Sequence, residues 1–486
     1  MVTHVQSIRI KETEQPMPEL SRGRRLLVLA ICCMSLLIVS LDNTILNVAL
    51  PAMRRDLHTS ISGLQWTIDA YTLVLASLLM LSGSTADRIG RRRIFRTGLV
   101  IFTGASALCS IAPSLEWLVV FRMLQAIGGS MLNPVAMSII TNVFTDPRER
   151  ARAIGAWGGV VGISMAAGPI IGGALVETVG WRSVFWINLP IGLLALVLTA
   201  LYVPESRAPR PRRIDPVGQL LVVALLGSLT YAIIEAPAAG WGSPAIVGCL
   251  ALAVFSAASL VPYERRRKEP LIDPRFFRSA PFSGATVIAV SAFAALAGFL
   301  FLNTLYLQDV RGMSALDAGL HLLPMAAMAL VCAPLSGRMV GSRGPRLPLL
   351  LAGVATTASG VMFAALDATA SDPKLFTAYV LFGIGFGFVN APITNTAVSG
   401  MPRTQAGVAA AVASTSRQVG QSLGVAVMGA ALAAGLDLTA WWIITGCGVA
   451  ILTLGWLTSG RWAAATAERA AERLSADAAR EPVGAR

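Results

Sequence analysis

The sequence predicts an all-α membrane protein that crosses the bilayer many times, and three observations support this fold class. Of its 486 residues, 55% are hydrophobic and only 13% are charged, whereas a soluble domain carries about 25% charged residues. Apolar stretches of 18 or more residues, long enough to cross a bilayer as helices, recur along the whole chain. Lysine and arginine cluster in alternate connections between those stretches. The alternating ten-residue segments of a membrane β-barrel do not occur in the sequence.

The apolar stretches predict fourteen membrane spans. We place them at roughly residues 26–50, 64–86, 94–112, 116–142, 152–177, 181–203, 214–236, 243–263, 281–308, 315–337, 347–366, 374–399, 405–435 and 439–460. With the N-terminus inside, inner tails and loops hold 32 of the 39 lysines and arginines, outer loops hold 5, and 2 lie within spans. This bias follows the positive-inside rule, and removing one span would invert every later loop. The net charge of +13 therefore reflects topology, and we expect no nucleic-acid partner.

Two polar, basic connectors divide the chain into six spans, two spans and six spans. The predicted units are an N-terminal cytoplasmic tail, a six-helix bundle, two linker helices with their connectors, a second six-helix bundle and a C-terminal cytoplasmic tail, at residues 1–25, 26–203, 204–280, 281–460 and 461–486. The first 25 residues lack a cleavage pattern, so we expect the first span to remain uncleaved. The last 26 residues predict a short surface helix or a disordered tail. Two six-span halves are a common transporter plan, with the substrate site between them.

Several classes of chemistry are excluded by what the sequence lacks. The six cysteines all fall within predicted spans and do not show metal-ligand spacing, and the three histidines do not cluster. No Gly-x4-Gly-Lys-Ser/Thr loop occurs, so we do not expect nucleotide hydrolysis. We therefore predict a protein that is not an enzyme, with no metal and no cofactor.

Asp42 is an acidic residue inside the first apolar span. It follows an uncharged run from Leu26 to Leu41, which places it roughly 25 Å from the inner face at about 1.5 Å per residue. Pro51 is expected to end this helix. A carboxylate within the membrane is costly, so its default interpretation is functional. The alternative is that Asp42 lies at a wet outer mouth and serves only as a cap.

Three other acidic residues fall in the outer parts of spans. Asp69 is about 8 Å below the outer surface by the helical rise, where water can reach it. Structural, vestibular and coupling roles stay open for it. Glu235 and Asp309 each close a span at the outer face, where vestibule or capping roles are favoured over coupling.

The connection after the second span carries the most specific pattern in the chain. Its marked residues are Gly83, Asp87, Arg88, Gly90, Arg91 and Arg92. They resemble the cytoplasmic loop signature of the major facilitator superfamily, Gly-x3-Asp-Arg-x-Gly-Arg-Arg. We expect a latch in which Asp87 pairs with neighbouring arginines or a helix N-terminus and releases when the halves rock. In the second half Gly341 stands where the aspartate should repeat, which predicts an asymmetric latch.

The fourth span carries a deep arginine. Arg122, Gln125 and Gly129 share one helix face, and the pattern resembles the superfamily's Arg-x2-Gln-Gly-x-Gly with Ala126 replacing a glycine. Arg122 lies about 10 Å from the outer end, a depth comparable to that of Asp42. An unpaired arginine there is costly, so Asp42 is the first candidate for its partner.

The fifth span is rich in small residues that favour close helix packing. Its marked residues are Gly162, Gly168, Pro169, Gly172 and Gly173. They resemble the superfamily's antiporter motif, Gly-x3-Gly-Pro-x2-Gly-Gly, although Gly162 lies six residues before Gly168. Packing alone is the alternative role for such a helix.

Two further segments narrow the resemblance, the run from Trp181 to Pro190 and the run from Leu41 to Pro51. Over roughly residues 26–460 the chain resembles the fourteen-span drug:proton antiporter branch (EmrB/QacA type). The resemblance implies proton-driven export of amphipathic organic compounds by alternating access, a coupling role for Asp42 and a proton-relay role for Arg122. It implies a bacterial plasma membrane protein with both termini cytoplasmic that needs no ATPase subunit. We expect a functional monomer.

Further polar residues in spans are candidates for the lining of a central cavity. They are Asp69, Gln125, Asn303, Asn390, Thr394, Arg417 and Gln418. Hydrogen bonding between helices is the competing role for these side chains. Two other functions also stay open at this point, namely export of a dedicated cargo (a self-made antibiotic, a siderophore or a lipid) and a membrane sensor that does not transport.

Overall fold

The computed structural model describes residues 20–208, 215–267, 270–366, 371–399, 401 and 406–480. These residues form helices joined by short connections, with no strand among them. Residues 1–19 of the predicted tail and residues 209–213 of the first connector lie outside the described residues. The first half contains eight helices: α1 (Arg22–Asp56), α2 (Ile61–Ile89), α3 (Arg91–Ser110), α4 (Leu115–Ser130), α5 (Asn133–Val143), α6 (Pro147–Thr178), α7 (Ser183–Trp186) and α8 (Asn188–Tyr202).

The linker hairpin consists of α9 (Pro216–Ala239) and α10 (Pro244–Arg266), and a 3₁₀ turn (Pro274–Arg278) leads from it into the second half. The second half contains eight α-helices and a π-helical turn (Tyr306–Val310) that extends the first of them. The helices are α11 (Ala280–Leu305), α12 (Ala315–His321), α13 (Leu323–Arg343), α14 (Arg346–Ala364), α15 (Asp372–Val398), α16 (Ala406–Ala433), α17 (Asp437–Leu457) and α18 (Arg461–Arg480).

The all-α membrane class is confirmed, whereas the span count of fourteen stays a prediction. Among the described residues, twelve helical segments are long and apolar enough to cross a membrane by length and composition. Four of these segments join two consecutive elements, such as α4 with α5 and α7 with α8. Helices α3 and α16 coincide with the third and thirteenth predicted spans but are not among the twelve.

The prediction that Pro51 ends the first helix is wrong. Helix α1 continues through Pro51 to Asp56. Pro51 has no N–H to donate to the Asn47 carbonyl four residues earlier, which weakens the helix at this point but does not end it. Here the Val48 carbonyl accepts a hydrogen bond from Gln308 Nε2 at 2.9 Å, which comes from the second half.

The two halves are joined near the end of the bundle at which α1 finishes, which we call the outer end; α1 begins at the inner end. Gln65 Nε2 on α2 donates to the carbonyls of Val425 and Ala426 on α16, at 3.1 and 2.8 Å. Arg54 and Asp309 form an ion pair of 3.5 Å between α1 and the π-helical turn. Helix α9 packs against both α2 and α16. This arrangement closes the outer end.

The inner end carries a helix from the predicted C-terminal tail. Helix α18 packs against α11 and the 3₁₀ turn, and Ala463, Ala467 and Leu474 are buried there. Thr466 Oγ1 accepts a hydrogen bond of 2.9 Å from the Ala280 amide, which caps the start of α11. The described part of the predicted tail is therefore a packed helix, and residues 481–486 lie outside the described residues.

Candidate functional site

A buried ion pair lies in the outer half of the first bundle. Arg122 Nη1 on α4 donates to Asp42 Oδ2 on α1 at 2.5 Å, and the two side chains are 0% and 2% exposed. Asp42 is twenty residues into α1, roughly 30 Å from its inner end. The pairing that the sequence predicts for these two residues is therefore present.

The second carboxylate oxygen of Asp42 accepts two more hydrogen bonds. Gln125 Nε2, one turn beyond Arg122 on α4, donates to Asp42 Oδ1 at 2.9 Å. Asn188 Nδ2, the first residue of α8, donates to the same oxygen at 2.8 Å. Donors from two helices thus contact both oxygens of the carboxylate, which compensates for its burial.

Arg122 contacts several other residues of the first half. Its Nε donates to the Thr67 carbonyl at 3.2 Å, and its Nη1 also donates to Gln125 Oε1 at 2.8 Å. The guanidinium carbon lies 4.2 Å from the centre of the Tyr71 ring. Its Nη2 has no hydrogen-bond partner among the described residues. The N–H groups of Nη2 are therefore available to a group that enters the cluster, such as a protonated or displaced carboxyl.

Asn188 is a site residue that the sequence interpretation missed. The predicted sixth span is interrupted at Ile187, between α7 and α8, and Asn188 begins the second piece. Its Nδ2 also contacts Ser106 Oγ at 3.1 Å, and Ser106 Oγ donates to the Phe185 carbonyl at 2.8 Å. The only available signal was the polar Asn188 between apolar residues before Pro190. We call Asp42, Arg122, Gln125 and Asn188 the carboxylate cluster.

The carboxylate cluster combines an acidic and a basic side chain. It contains one carboxyl group and one guanidinium, which is never deprotonated in proteins. Protonation of Asp42 converts an acceptor of three hydrogen bonds into a neutral group that must donate one. The described residues contain no group of His, Cys, Asp and Glu side chains that could hold a metal ion.

The glycines of α6 lie between α1 and the second half. A Cβ atom on Gly168 would meet Thr44 Oγ1 at 2.0 Å, and one on Gly172 would meet Ile45 Cγ2 at 3.0 Å, two and three residues after Asp42. On the other side, a Cβ on Gly173 would meet the Ala315 carbonyl oxygen at 2.6 Å. Helix α6 therefore connects the Asp42 segment of α1 to α12.

The remaining residues of the α6 motif touch the second half as well. A Cβ atom on Gly162 would meet Leu330 Cδ1 at 2.9 Å, and the Pro169 carbonyl packs against Gly319. An alanine at Gly168 or Gly173 would therefore clash with its neighbour, whereas at Gly162 only the end of the Leu330 side chain would have to move.

We expect Gly168→Ala to destabilise the protein by roughly 1–3 kcal/mol, because the added methyl overpacks the contact with Thr44. The matched control is Gly158→Ala on the same helix, where a Cβ atom would meet nothing within 4 Å. Thermal unfolding of the purified variants measures the difference. Equal stability of the two variants would contradict the close packing of α6 on α1.

The other three acidic residues occupy different environments. Asp69 is 0% exposed and faces Ser422 on α16, so the outer water expected around it is excluded by the second half. Glu235 Oε1 accepts a hydrogen bond of 2.7 Å from Trp66 Nε1, which joins α9 to α2. Asp309 is in the outer ion pair with Arg54. None of these three joins the carboxylate cluster.

The residues of the loop signature form hydrogen bonds with one another and with the segment that follows α8. Asp87 Oδ1 accepts from Arg91 Nη2 at 2.8 Å, and the Arg91 and Arg92 amides donate to the Ser206 carbonyl at 2.9 Å and Glu205 Oε1 at 3.1 Å. Gly90 has φ +131°, and a Cβ atom there would meet Glu205 Oε1 at 2.7 Å, so only glycine fits this turn. Gly83 and Arg88 lie at the inner end of α2, before this turn. The segment after α8 thus holds the signature in this conformation.

The second-half residues predicted to line a cavity differ in how deeply they are buried. Asn303 is 0% exposed, and its Oδ1 accepts from Tyr379 at 2.7 Å, which is an interhelical hydrogen bond. Arg417 Nη2 donates to exposed Thr394 Oγ1 at 2.5 Å across α15 and α16. Asn390 and Gln418 are half-buried. Asn303 is thus enclosed by protein, and cavity lining stays a prediction for the other four candidates, Asn390, Thr394, Arg417 and Gln418.

Curated relatives of the chain carry drug-resistance names. The tetracenomycin C resistance and export protein of Streptomyces glaucescens is 40% identical over 413 residues, covering 85% of this chain and 77% of the relative. The multidrug resistance protein Stp of Mycobacterium tuberculosis is 37% identical over 415 residues, with the same two shares. The methylenomycin A resistance protein of Bacillus subtilis is 33% identical over 430 residues, covering 88% of this chain and 91% of the relative.

Solved structures agree on the fold. A bacterial homologue of the human lysosomal transporter Spinster, in an inward-facing and unoccupied conformation, superposes with a TM-score of 0.61 at 20% identity, covering 94% of this chain and 99% of that one. The same homologue in an inward-facing, occupied conformation gives a TM-score of 0.61 at 17% identity, with the same coverage. The model of the Major Facilitator Superfamily matches residues 32–425, across both halves and the linker hairpin. With two helical halves closed at one end and a match over most of its length, this chain belongs to the Major Facilitator Superfamily.

Proposed function

We propose that this protein exports amphipathic drugs or antibiotics from the cell in exchange for protons. The observation that carries the coupling is the ion pair between Asp42 and Arg122, which is buried, free of metal ligands, and satisfied only while Asp42 is charged. The names of the relatives support the cargo class, since they describe resistance to and export of antibiotics. The chain itself works as a transporter without catalytic residues or a cofactor.

Proton binding acts on the charge balance of the carboxylate cluster. When Asp42 takes up a proton from the outer side, Arg122 loses its counter-ion and three donors lose a charged acceptor. The helices that carry them then separate or repack. Because α6 packs on α1 beside Asp42 and on α12 beyond it, a shift of α1 reaches the second half.

The exchange cycle follows from competition between the two ligands. Drug binding from the cytoplasm or the inner leaflet favours charged Asp42, and protonation from outside lowers drug affinity and favours the return to the inward-facing form. Each ligand changes the affinity of the other by the same factor. In this scheme the outer contacts through Gln65 and Gln308 open when the halves rock.

The proposal also includes a membrane location, an orientation and an oligomeric state. We place it in the bacterial plasma membrane, with both termini in the cytoplasm, acting as a monomer on small amphipathic molecules. A dedicated antibiotic remains the second candidate cargo, favoured by the relatives named for tetracenomycin C and methylenomycin A.

Reconstituted vesicles test the proposal. We expect wild-type protein to move a fluorescent amphipathic drug against its gradient when a pH gradient is imposed, and to stop when a protonophore collapses that gradient. Empty vesicles are the control for passive leakage. Transport that is unchanged by the protonophore would contradict proton exchange, and no movement across a broad drug panel would contradict drug export.

A further inference from the structure

Two buried carboxyl groups lie side by side at the inner end of the linker hairpin, away from the carboxylate cluster in the outer half. Asp215 precedes α9 and is 4% exposed, and Glu264 near the end of α10 is 2% exposed. Glu264 Oε1 and Asp215 Oδ2 lie 2.5 and 2.9 Å from the point where a Cβ atom on Gly218 would sit. The two oxygens therefore share the small space that this glycine leaves.

The other two oxygens of the pair are fully engaged. Asp215 Oδ1 accepts from the Gly218 amide at 3.0 Å and from the Tyr263 hydroxyl at 2.8 Å. Glu264 Oε2 accepts from the Leu271 amide at 2.8 Å. The two oxygens beside Gly218 receive no hydrogen bond from the described residues. A buried carboxylate oxygen without a donor is costly, so the pair lacks one hydrogen.

Among the described residues, the positive charge near the pair comes from Arg267, and it is too small to keep both carboxyl groups charged. Arg267 Nε lies 3.6 Å from Asp215 Oδ2, and its side chain is 42% exposed. Glu264 has no ion pair in the described part of the chain; the charged groups that act on it are Asp215 and Arg267. Two buried carboxylates that both face the space beside Gly218 cannot both be charged at little cost.

Among the described residues, which leave out 209–214, 268 and 269, the neighbouring elements offer no further cation. On the 3₁₀ turn, Arg275 is taken by Asp273, with Nη2 to Oδ2 at 2.8 Å. On α2, the facing group is the Ser77 carbonyl, which accepts from Gln219. Arg265 and Arg266 on α10 are exposed, and residues 268 and 269 lie outside the described residues.

We propose that Asp215 and Glu264 hold one proton between them, and that this proton makes the joint between the linker hairpin and the second half sensitive to pH on the inner side. The protonated carboxyl donates its O–H to the facing oxygen of the other group. Loss of that proton leaves two like charges beside Gly218, and one of them is the acceptor that holds Leu271. Leu271 begins the path into the 3₁₀ turn and α11, so a movement of Glu264 under this repulsion would shift that path.

Infrared spectroscopy of the full-length protein in lipid nanodiscs at neutral pH tests the shared proton. We expect the wild type to show a C=O stretching band of a protonated carboxylic acid that is lost in Glu264→Gln and also lost in Asp215→Asn. The two variants are checked for folding by circular dichroism and gel filtration. Wild-type and variant spectra that coincide in this region would overturn the proposal.

A second variant keeps the test independent of the buried residues. Arg267→Ala removes a half-exposed cation from beside Asp215, so the proton should be held to higher pH, and the band should disappear at a higher pH than in the wild type. Arg265→Ala, an exposed arginine on the same helix, should leave the titration unchanged. A band that titrates at the same pH in wild type and Arg267→Ala would also overturn the proposal.

Discussion

Asp42→Asn is expected to abolish drug transport driven by a pH gradient while leaving a folded protein that still binds drug. Asparagine keeps the size of the side chain and can accept hydrogen bonds from Gln125 and Asn188. Unlike a carboxylate, its amide cannot take up or release a proton. Asparagine also presents an amide donor to Arg122, which imitates the protonated state, so we expect it to bind drug more weakly than the wild type but measurably. Transport into reconstituted vesicles under an imposed pH gradient measures the effect.

Asp317→Asn is the matched control for this substitution, because Asp317 is exposed in the first turn of α12. It should leave transport close to the wild-type rate. Drug binding to Asp42→Asn, measured by fluorescence or calorimetry, separates lost coupling from lost folding. Full pH-driven transport by Asp42→Asn would remove Asp42 from the coupling mechanism.

Arg122→Ala should give the largest loss of stability in the first half, roughly 3–5 kcal/mol, because it leaves a buried carboxylate without its counter-ion. Arg122→Lys retains the charge but loses the forked contacts to Asp42, Gln125 and Thr67. We therefore expect both variants to lose transport and the lysine variant to be the more stable. Thermal unfolding followed by tryptophan fluorescence measures stability.

The double variant Asp42→Asn with Arg122→Gln distinguishes pairing from packing. Removing both charges leaves no unpaired ion, so stability should return in part while transport stays absent. Arg182→Lys at the outer surface, where the Arg182 side chain is 38% exposed, is the control and should change stability by less than about 1 kcal/mol. Strictly additive losses in the double variant would argue against direct coupling of Asp42 and Arg122.

The ion pair could be predicted from the sequence because both charges are expensive in a membrane. Asp42 and Arg122 enter their spans from opposite faces, yet the helical rise brings them to similar depths, and each needs a partner of opposite charge. The close packing of α6 could also be predicted, because Gly168 and Gly172 belong to a glycine-rich pattern of small residues. Helical rise and the cost of buried charge were sufficient for these features.

Other features depend on tertiary contacts that periodicity does not encode. Asn188 reaches Asp42 from the start of α8, and an uncharged amide in a span carries no signal of its partner. Pro51 was expected to end α1, but the helix continues to Asp56, and Gln308 of the second half donates to the nearby Val48 carbonyl. Asp69 was placed near water by its depth, and packing of α16 against α2 buries it instead.

Proton release on drug binding is the most direct test of exchange at Asp42. Drug is added to purified protein in weakly buffered solution, at a pH where the wild type is partly protonated, and the change in pH is recorded. We predict that the wild type releases protons as drug binds, because the two ligands compete, and that Asp42→Asn binds the drug without releasing them. Equal proton release from both proteins, or none from the wild type while it binds drug, would contradict the mechanism.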